Sequence, residues 1–180
     1  MVALGGGCIF SPHKDDDPPP PKVIVYPKLD SPKNAILFLT IAWSNRDSVM
    51  IDSVYADDYA GNSIDLTDPT PETLPFTKSD EKRAVHQMAE SQSIVTVSMD
   101  FGVQGGWHED HYASDPPDWR YVQIPAANIY VNDAVLGEYR AQYPEPGKTW
   151  IFEFKVKPVP NGTPDPVWKI VEWVESRATN

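Results

Sequence analysis

TWIFEFKVKPV, residues 149–159, puts Trp150, Phe152, Phe154 and Val156 on one side of an extended chain and Glu153, Lys155 and Lys157 on the other. Alternation with a period of two marks a half-buried antiparallel strand, with one face on a core and the other in water. A second apolar run, VWKIVEWVES at 167–176, alternates less cleanly: Trp168 and Ile170 fall on one side, while Val171 and Trp173 straddle both. Between the runs stand Pro158, Pro160, Asn161-Gly162 and Pro164-Asp165-Pro166, which break regular structure and turn the chain. The C-terminal end therefore reads as a long hairpin.

Upstream the period remains two as far back as Ser93. Val95, Val97, Met99 and Phe101 alternate with Ile94, Thr96, Ser98 and Asp100. A loop over 102–118 leads to a strand at 119–124, where Pro125 forces a bulge or an edge position. Ala127, Ile129 and Val131 run to a turn at Asn132-Asp133, and Val135, Tyr139 and Ala141 follow.

Before residue 93 the spacing is helical. Ser31 is a good N-cap and Pro32 fits a first turn; Ala35, Phe38, Leu39 and Ala42 then form a stripe widened by Ile36, Leu37, Ile41 and Trp43. A second helix is expected from Ser48 to about Tyr59, with Ile51, Val54 and Tyr55 on one face and Gly61-Asn62 closing it. A short strand at 63–66 and a loop with Pro69, Pro71 and Pro75 come next. Thr77 with Asp80 makes a capping-box-like start to a third helix over 78–91, whose apolar face is Ala84, Val85, Met88 and Ala89. Helices first and a strand meander afterwards specify an α+β fold: three N-terminal helices packed on one face of a mostly antiparallel sheet.

A chain of 180 residues, 41% apolar and 23% charged, is one domain with a tail and is not wholesale disordered. The net charge of −11 argues against nucleic acid, whose phosphates need clustered Lys and Arg. Solubility of an exported or surface protein is the plainer explanation for that charge. No segment approaches a transmembrane span. The one cysteine, Cys8, excludes an intramolecular disulfide.

Leu4 and the small residues running into Cys8 resemble the cleavage box of a bacterial lipoprotein signal, whose cysteine receives the lipid. Seven preceding residues supply neither a charged region nor a full apolar stretch, so this reading expects a truncated start. Asp15–Asp17 and Pro18–Pro21 then read as a solvated, semi-rigid tether. The expected partner is a membrane, reached through lipid on Cys8; the alternative is a terminus with an incidental thiol. The expected organisation is a tether over 1–29, a folded domain over 30–176 and a tail over 177–180.

SPKNAILFLTIAWSNRDSVMIDSVYADDY, FTKSDEKRAVHQM and VWKIVEWVES, in the order helix, helix, short strand, helix and about four long strands, resemble the nuclear transport factor 2-like superfamily. That superfamily is the cystatin-like cone shared with ketosteroid isomerase and polyketide-cyclase-like proteins. With the Cys8 context, the chain is similar to small bacterial lipoproteins carrying such a domain. The resemblance implies a pocket at the open end of a cone, where enzymatic members place an acid or base and a hydrogen-bonding tyrosine in an apolar cavity. Those motifs are structural and nearly silent on activity.

Candidates for such a site are Tyr55, Asp58 and Tyr59 at the second helix, His86 on the third, and Tyr130 and Tyr139 on strands. Parity turns Asp100 to solvent, and polar residues at the core edge are the plainer reading of the others. His108 and His111, with acids between them, have the residue types of a zinc or copper site but lack a third histidine, and a solvated loop explains them better. No cofactor is implied. Core packing is the first explanation of the aromatic residues, with Tyr121 and Tyr130 the polar-face exceptions.

These observations order three functions. The first is a non-enzymatic cell-envelope module that binds a partner or small apolar ligand, plausibly as a homo-oligomer. The second is self-assembly, even filament formation, with Val23, Ile24, Val25 and Tyr26 as an edge strand added to a neighbour's sheet. The third is a small-molecule isomerase, cyclase or hydratase.

Overall fold

The structure, a computed structural model, describes residues 23–66, 68–143 and 148–179, with the backbone alone at 143, 148–151 and 177–179. Cys8 and the tether lie outside the described residues.

Each helix starts where its cap dictates. The Ser31 hydroxyl accepts from the Asn34 N–H and opens α1, Pro32–Ser44. Asp47 caps α2, Ser48–Val54, by accepting from the Met50 N–H. Thr77 and Asp80 form a reciprocal capping box on α3, Lys78–Glu90. Caps of this kind each contribute about 1 kcal/mol. Burial on α1 reaches round most of its surface, because Ala35, Ile36, Leu39 and Ala42 are fully enclosed and Phe38 nearly so.

Among the described residues nine strands form two sheets. They are β1 Tyr55–Asp65, β2 Thr73–Thr77, β3 Ile94–Asp100, β4 His108–Asp110, β5 Arg120–Ile124, β6 Ala127–Asp133, β7 Gly137–Tyr143, β8 Lys148–Val159 and β9 Val167–Thr179. The larger sheet has the order β2-β1-β9-β8-β5-β4 and the smaller β3-β6-β7. All pairings are antiparallel except β1 with β9. The expected α+β class, with helices on a curved and mostly antiparallel sheet, is the one found.

The hairpin explains its own uneven alternation. Lys155 pairs with Glu172 and Val156 with Ile170, which leaves Val171 as an extra residue in a β-bulge. Ile170 and Trp173, three apart, therefore both face inward, and both are buried. Phe101, Phe152, Phe154 and Trp173 interlock beneath α1, with Phe154 5.2 Å from Trp173 and Phe101 5.4 Å from Phe154 between ring centroids. Phe152 and Phe154 thus fill the concave face; the side chain of Trp150 lies outside the described residues.

Four expectations are corrected. The second helix ends at Val54, and Tyr55, Asp58 and Tyr59 stand on β1 instead. Parallel pairing with β9 supplies the backbone partners that a longer helix would have supplied, and Gly61 is a poor helix former. Pro75 lies in β2, an edge strand where its missing N–H costs least. Val95 is 61% exposed because the β3–β6 register shifts between Ile94 and Thr96.

Val23, Ile24, Val25 and Tyr26 form no strand in this chain. Tyr26 instead turns onto α1, its ring 4.6 Å from that of Phe38 and its hydroxyl donating to Asp47 at 2.8 Å. Val23 and Val25 are left 81% and 78% exposed.

Candidate functional site

Val85 is fully buried on α3, and Glu81, one helical turn earlier, shares its face and is 8% exposed. Three aromatic residues close around that carboxyl. Trp43 comes from the last turn of α1, and Tyr55 and Tyr59 from the start of β1. The two tyrosine rings lie 4.0 Å apart between centroids, tilted by 30°. Phe76 on β2 packs at 6.4 Å from Tyr59 and at 6.0 Å, edge-on, from Trp173.

This region gathers buried polar atoms that the protein satisfies at best loosely. Trp43 Nε1, Tyr55 Oη, Tyr59 Oη, Glu81 Oε2 and Trp173 Nε1 are sealed from solvent; none meets strict hydrogen-bond geometry, but Trp43 lies within the reach of Tyr55 and Glu81, and Tyr55 of Tyr59, so the first four form one loose polar network. Leaving such a group unpaired costs about 1–3 kcal/mol, so five around one interior are a strain reservoir or a recognition surface.

Electrostatics ties the cluster together. Burial pushes the Glu81 carboxyl up to about 7; the Trp43 indole N–H draws it down without reaching hydrogen-bond geometry, and Glu175 and Asp80 raise it further. Burial, and then the Glu81 charge, hold both tyrosine hydroxyls well above their ordinary range.

Glu175 pairs across β8 with Phe152, two residues beyond Trp173, and so shares the inward face. Burial raises its pKa as well. Tyr139 pairs with Val131, which pairs with the buried Val97, so it stands on the inner face of the smaller sheet. Its hydroxyl is raised by burial and by Glu175. Glu175 thus acts on both Glu81 and Tyr139, and Tyr139 is 62% exposed, so this end of the inward face opens towards solvent. A carboxyl titrating near neutrality beside phenols and an indole N–H can both donate and accept hydrogen bonds.

The structure brings Tyr55, Tyr59 and Tyr139 to this region and leaves the other candidates elsewhere. Asp58 points outward and accepts from Lys157 Nζ at 2.6 Å. His86 is exposed, 3.3 Å from the Glu90 carboxylate. Asp100 is exposed and accepts from the Gly102 N–H. Tyr130 donates to Glu138 beneath the Arg140 guanidinium. His108 lies 3.7 Å from Asp110, and His111 Nδ1 lies 3.3 Å from the Trp119 carbonyl oxygen. Both histidines are exposed, and among the described residues no three His, Cys, Asp or Glu side chains converge on a metal position. Tyr121 is buried on the outer face beneath Tyr112.

Glu81, Glu175 and Trp43 were not singled out as site residues from the sequence. Two signals were present: Glu81 is four residues before Val85 on a helix, and Glu175 two after Trp173 on a strand. An acid in phase with a buried apolar residue is the pattern to look for.

No family model matches the sequence, and no curated protein matches it. Solved structures do. A nuclear transport factor 2-like superfamily protein from Salmonella enterica serovar Typhimurium LT2 is 8% identical, with 82% of this chain and 89% of that one covered at a TM-score of 0.54. A nuclear transport factor 2-like protein of unknown function in nutrient uptake, from Rhodospirillum rubrum, is 14% identical over 79% of this chain and 93% of that one, at 0.51. A conserved protein from Planctomyces limnophilus is 12% identical over 82% and 94%, at 0.50. At these identities the likeness concerns the backbone alone. The chain has the nuclear transport factor 2-like fold.

Proposed function

We propose that this domain is a non-enzymatic binding module whose inner polar cluster recognises a small, largely apolar ligand carrying one hydrogen-bonding group. The loosely bonded buried cluster of Trp43, Tyr55, Tyr59 and Glu81 carries the reading, because an interior built only for packing would not hold it. The ligand approaches through Glu175 and Tyr139, the partly exposed members, and its polar group offers partners to Glu81 and Tyr59 behind them. Ligand-observed NMR with a panel of small aromatic amines and alcohols should give saturable binding that Glu81→Gln weakens at least tenfold. A panel with no saturable binder, or one indifferent to Glu81→Gln, would end the reading.

Self-assembly keeps one supporting observation, the exposure of Val23 and Val25 on an extended segment that pairs with no strand of its own chain. Asp at both positions should leave the fold intact and convert any oligomer to monomer in light scattering. Oligomers that persist in that variant refute assembly through this segment.

A further inference from the structure

We infer that a cleft between residues 27–30 and the loop joining β8 to β9 binds a neutral carbohydrate, with one sugar ring seated on an apolar floor. The cleft shares no lining residue with the inner polar cluster, so it is a second site beside the one proposed above. Its volume is about 730 Å³, and small-molecule sites typically span about 300–1,000 Å³. Leu29, Phe38, Val167 and Trp168 supply its apolar surface, and Lys28, Asp30, Asn161 and Asp165 its polar rim.

Both walls are held in place. On one side the Leu29 carbonyl oxygen accepts from the Trp168 N–H at 2.8 Å, and the Asp30 carboxylate accepts from Asn34 Nδ2 at 2.8 Å. Tyr26, stacked on Phe38, anchors the approach to that wall through its hydroxyl on Asp47. On the other side Asn161 Oδ1 accepts from the Thr163 N–H at 3.1 Å, and the Thr163 hydroxyl donates to the Asp165 carbonyl oxygen at 2.7 Å. A cleft walled in this way is formed before any ligand arrives, so little ordering entropy opposes binding.

The rim selects the chemistry. Among the described residues, the Lys28 ammonium, the Asp165 carboxylate and the Trp168 indole N–H make no hydrogen bond or ion pair, and the Asn161 amide spends only its oxygen. Donors and acceptors thus line one cleft around apolar surface. A sugar matches that mixture, since each hydroxyl both donates and accepts while the C–H face of the ring packs on the half-buried Trp168 indole. A wholly apolar ligand would cover these polar groups and leave them unpaired. A single ammonium would answer the two carboxylates and leave the three donors without partners, and an anion would meet Asp30 and Asp165.

The full chain titrated with methyl β-D-glucoside, N-acetylglucosamine and cellobiose, read by saturation-transfer NMR, provides the test. At least one sugar should bind saturably, with saturation strongest on the ring C–H protons. Trp168→Ala should weaken that binding by about tenfold, while Trp168→Phe, which keeps an aromatic face, should weaken it less. Asp165→Ala, at an exposed position outside the core, should weaken it too, with near-UV circular dichroism unchanged. Glu81→Gln should leave sugar binding alone, so that failure here and failure of the inner-cluster reading are separate results. Saturable binding of none of the three sugars, or binding indifferent to both Trp168→Ala and Asp165→Ala, overturns the inference.

Discussion

Glu81 occupies a position where two forces on one carboxyl disagree, and their sizes decide the outcome. It lies in the first turn of α3, where the helix dipole favours a negative charge by about 0.3–1 kcal/mol. Burial works the other way and moves its pKa from 4.5 to about 7, a shift worth roughly 3 kcal/mol. Burial wins. The groups acting on it are Tyr55 and Tyr59 from β1, Trp43 from α1, Glu175 from β9 and its own neighbour Asp80.

A folded-state pKa above the unfolded one means that the native state holds the proton more tightly. Its stabilising contribution is complete below about pH 4.5 and is lost as the pH rises through 7. Asp57, Asp80 and Asp133, whose pKa values are lowered, contribute in the opposite sense, and only as the pH falls below about 4. The Tm should therefore decline from pH 5 to pH 8. Glu81→Gln should flatten that decline and stabilise the protein at pH 8 by up to about 3 kcal/mol while changing little at pH 5. Thermal melts of both proteins at pH 5, 6, 7 and 8 provide the check, and parallel curves would contradict the assignment.

At the scale of elements, the contact between β1 and β2 is the tightest local constraint. Gly61 pairs directly with Phe76, and the Phe76 ring lies over the glycine, where a Cβ would stand within the ring's own volume. Tyr59 and Trp173 flank that ring and limit its retreat. Gly61→Ala should cost about 1–3 kcal/mol in urea unfolding through overpacking. Combined with Phe76→Ala, the loss should be smaller than the sum of the two single losses. Additive losses would mean that the ring moves aside freely.

Elements with complete local signals were legible in the sequence. Ser31-Pro32 and the Thr77/Asp80 box fixed two helix starts, and strict alternation fixed β8 and most of β3. The elements decided by partners were not legible. β1 reads as helix until β9 lies beside it, and β2 reads as a loop because it carries a proline that only an edge strand tolerates. The tail segment 23–26 reads as a strand, but stacking of Tyr26 on Phe38 draws it onto a helix.

At the scale of the whole molecule, the cone was legible because element order and the sheet's apolar face determine it together. The site was only half legible. Tyr55, Tyr59 and Tyr139 stood among the sequence candidates, whereas Glu81 and Glu175 did not, because charged residues are ordinarily assigned to solvent. What brings these five together is long-range pairing across α3, β1, β7 and β9, and no local window contains it.

The bulge at Val171 has a consequence of phase. Strand faces are counted in twos, so one added residue exchanges inside and outside for everything beyond it. Were Val171 an ordinary strand residue rather than a bulge, Glu172 and Val174 would continue the inward row from Ile170, while Trp173 and Glu175 would turn to water. The bulge that takes Val171 out of the count, twenty-odd ångströms of backbone from Thr179 at about 3.3 Å per residue, thereby decides whether the concave face ends in valine or in a carboxylate. In this chain the chemistry of that end is set by an odd number.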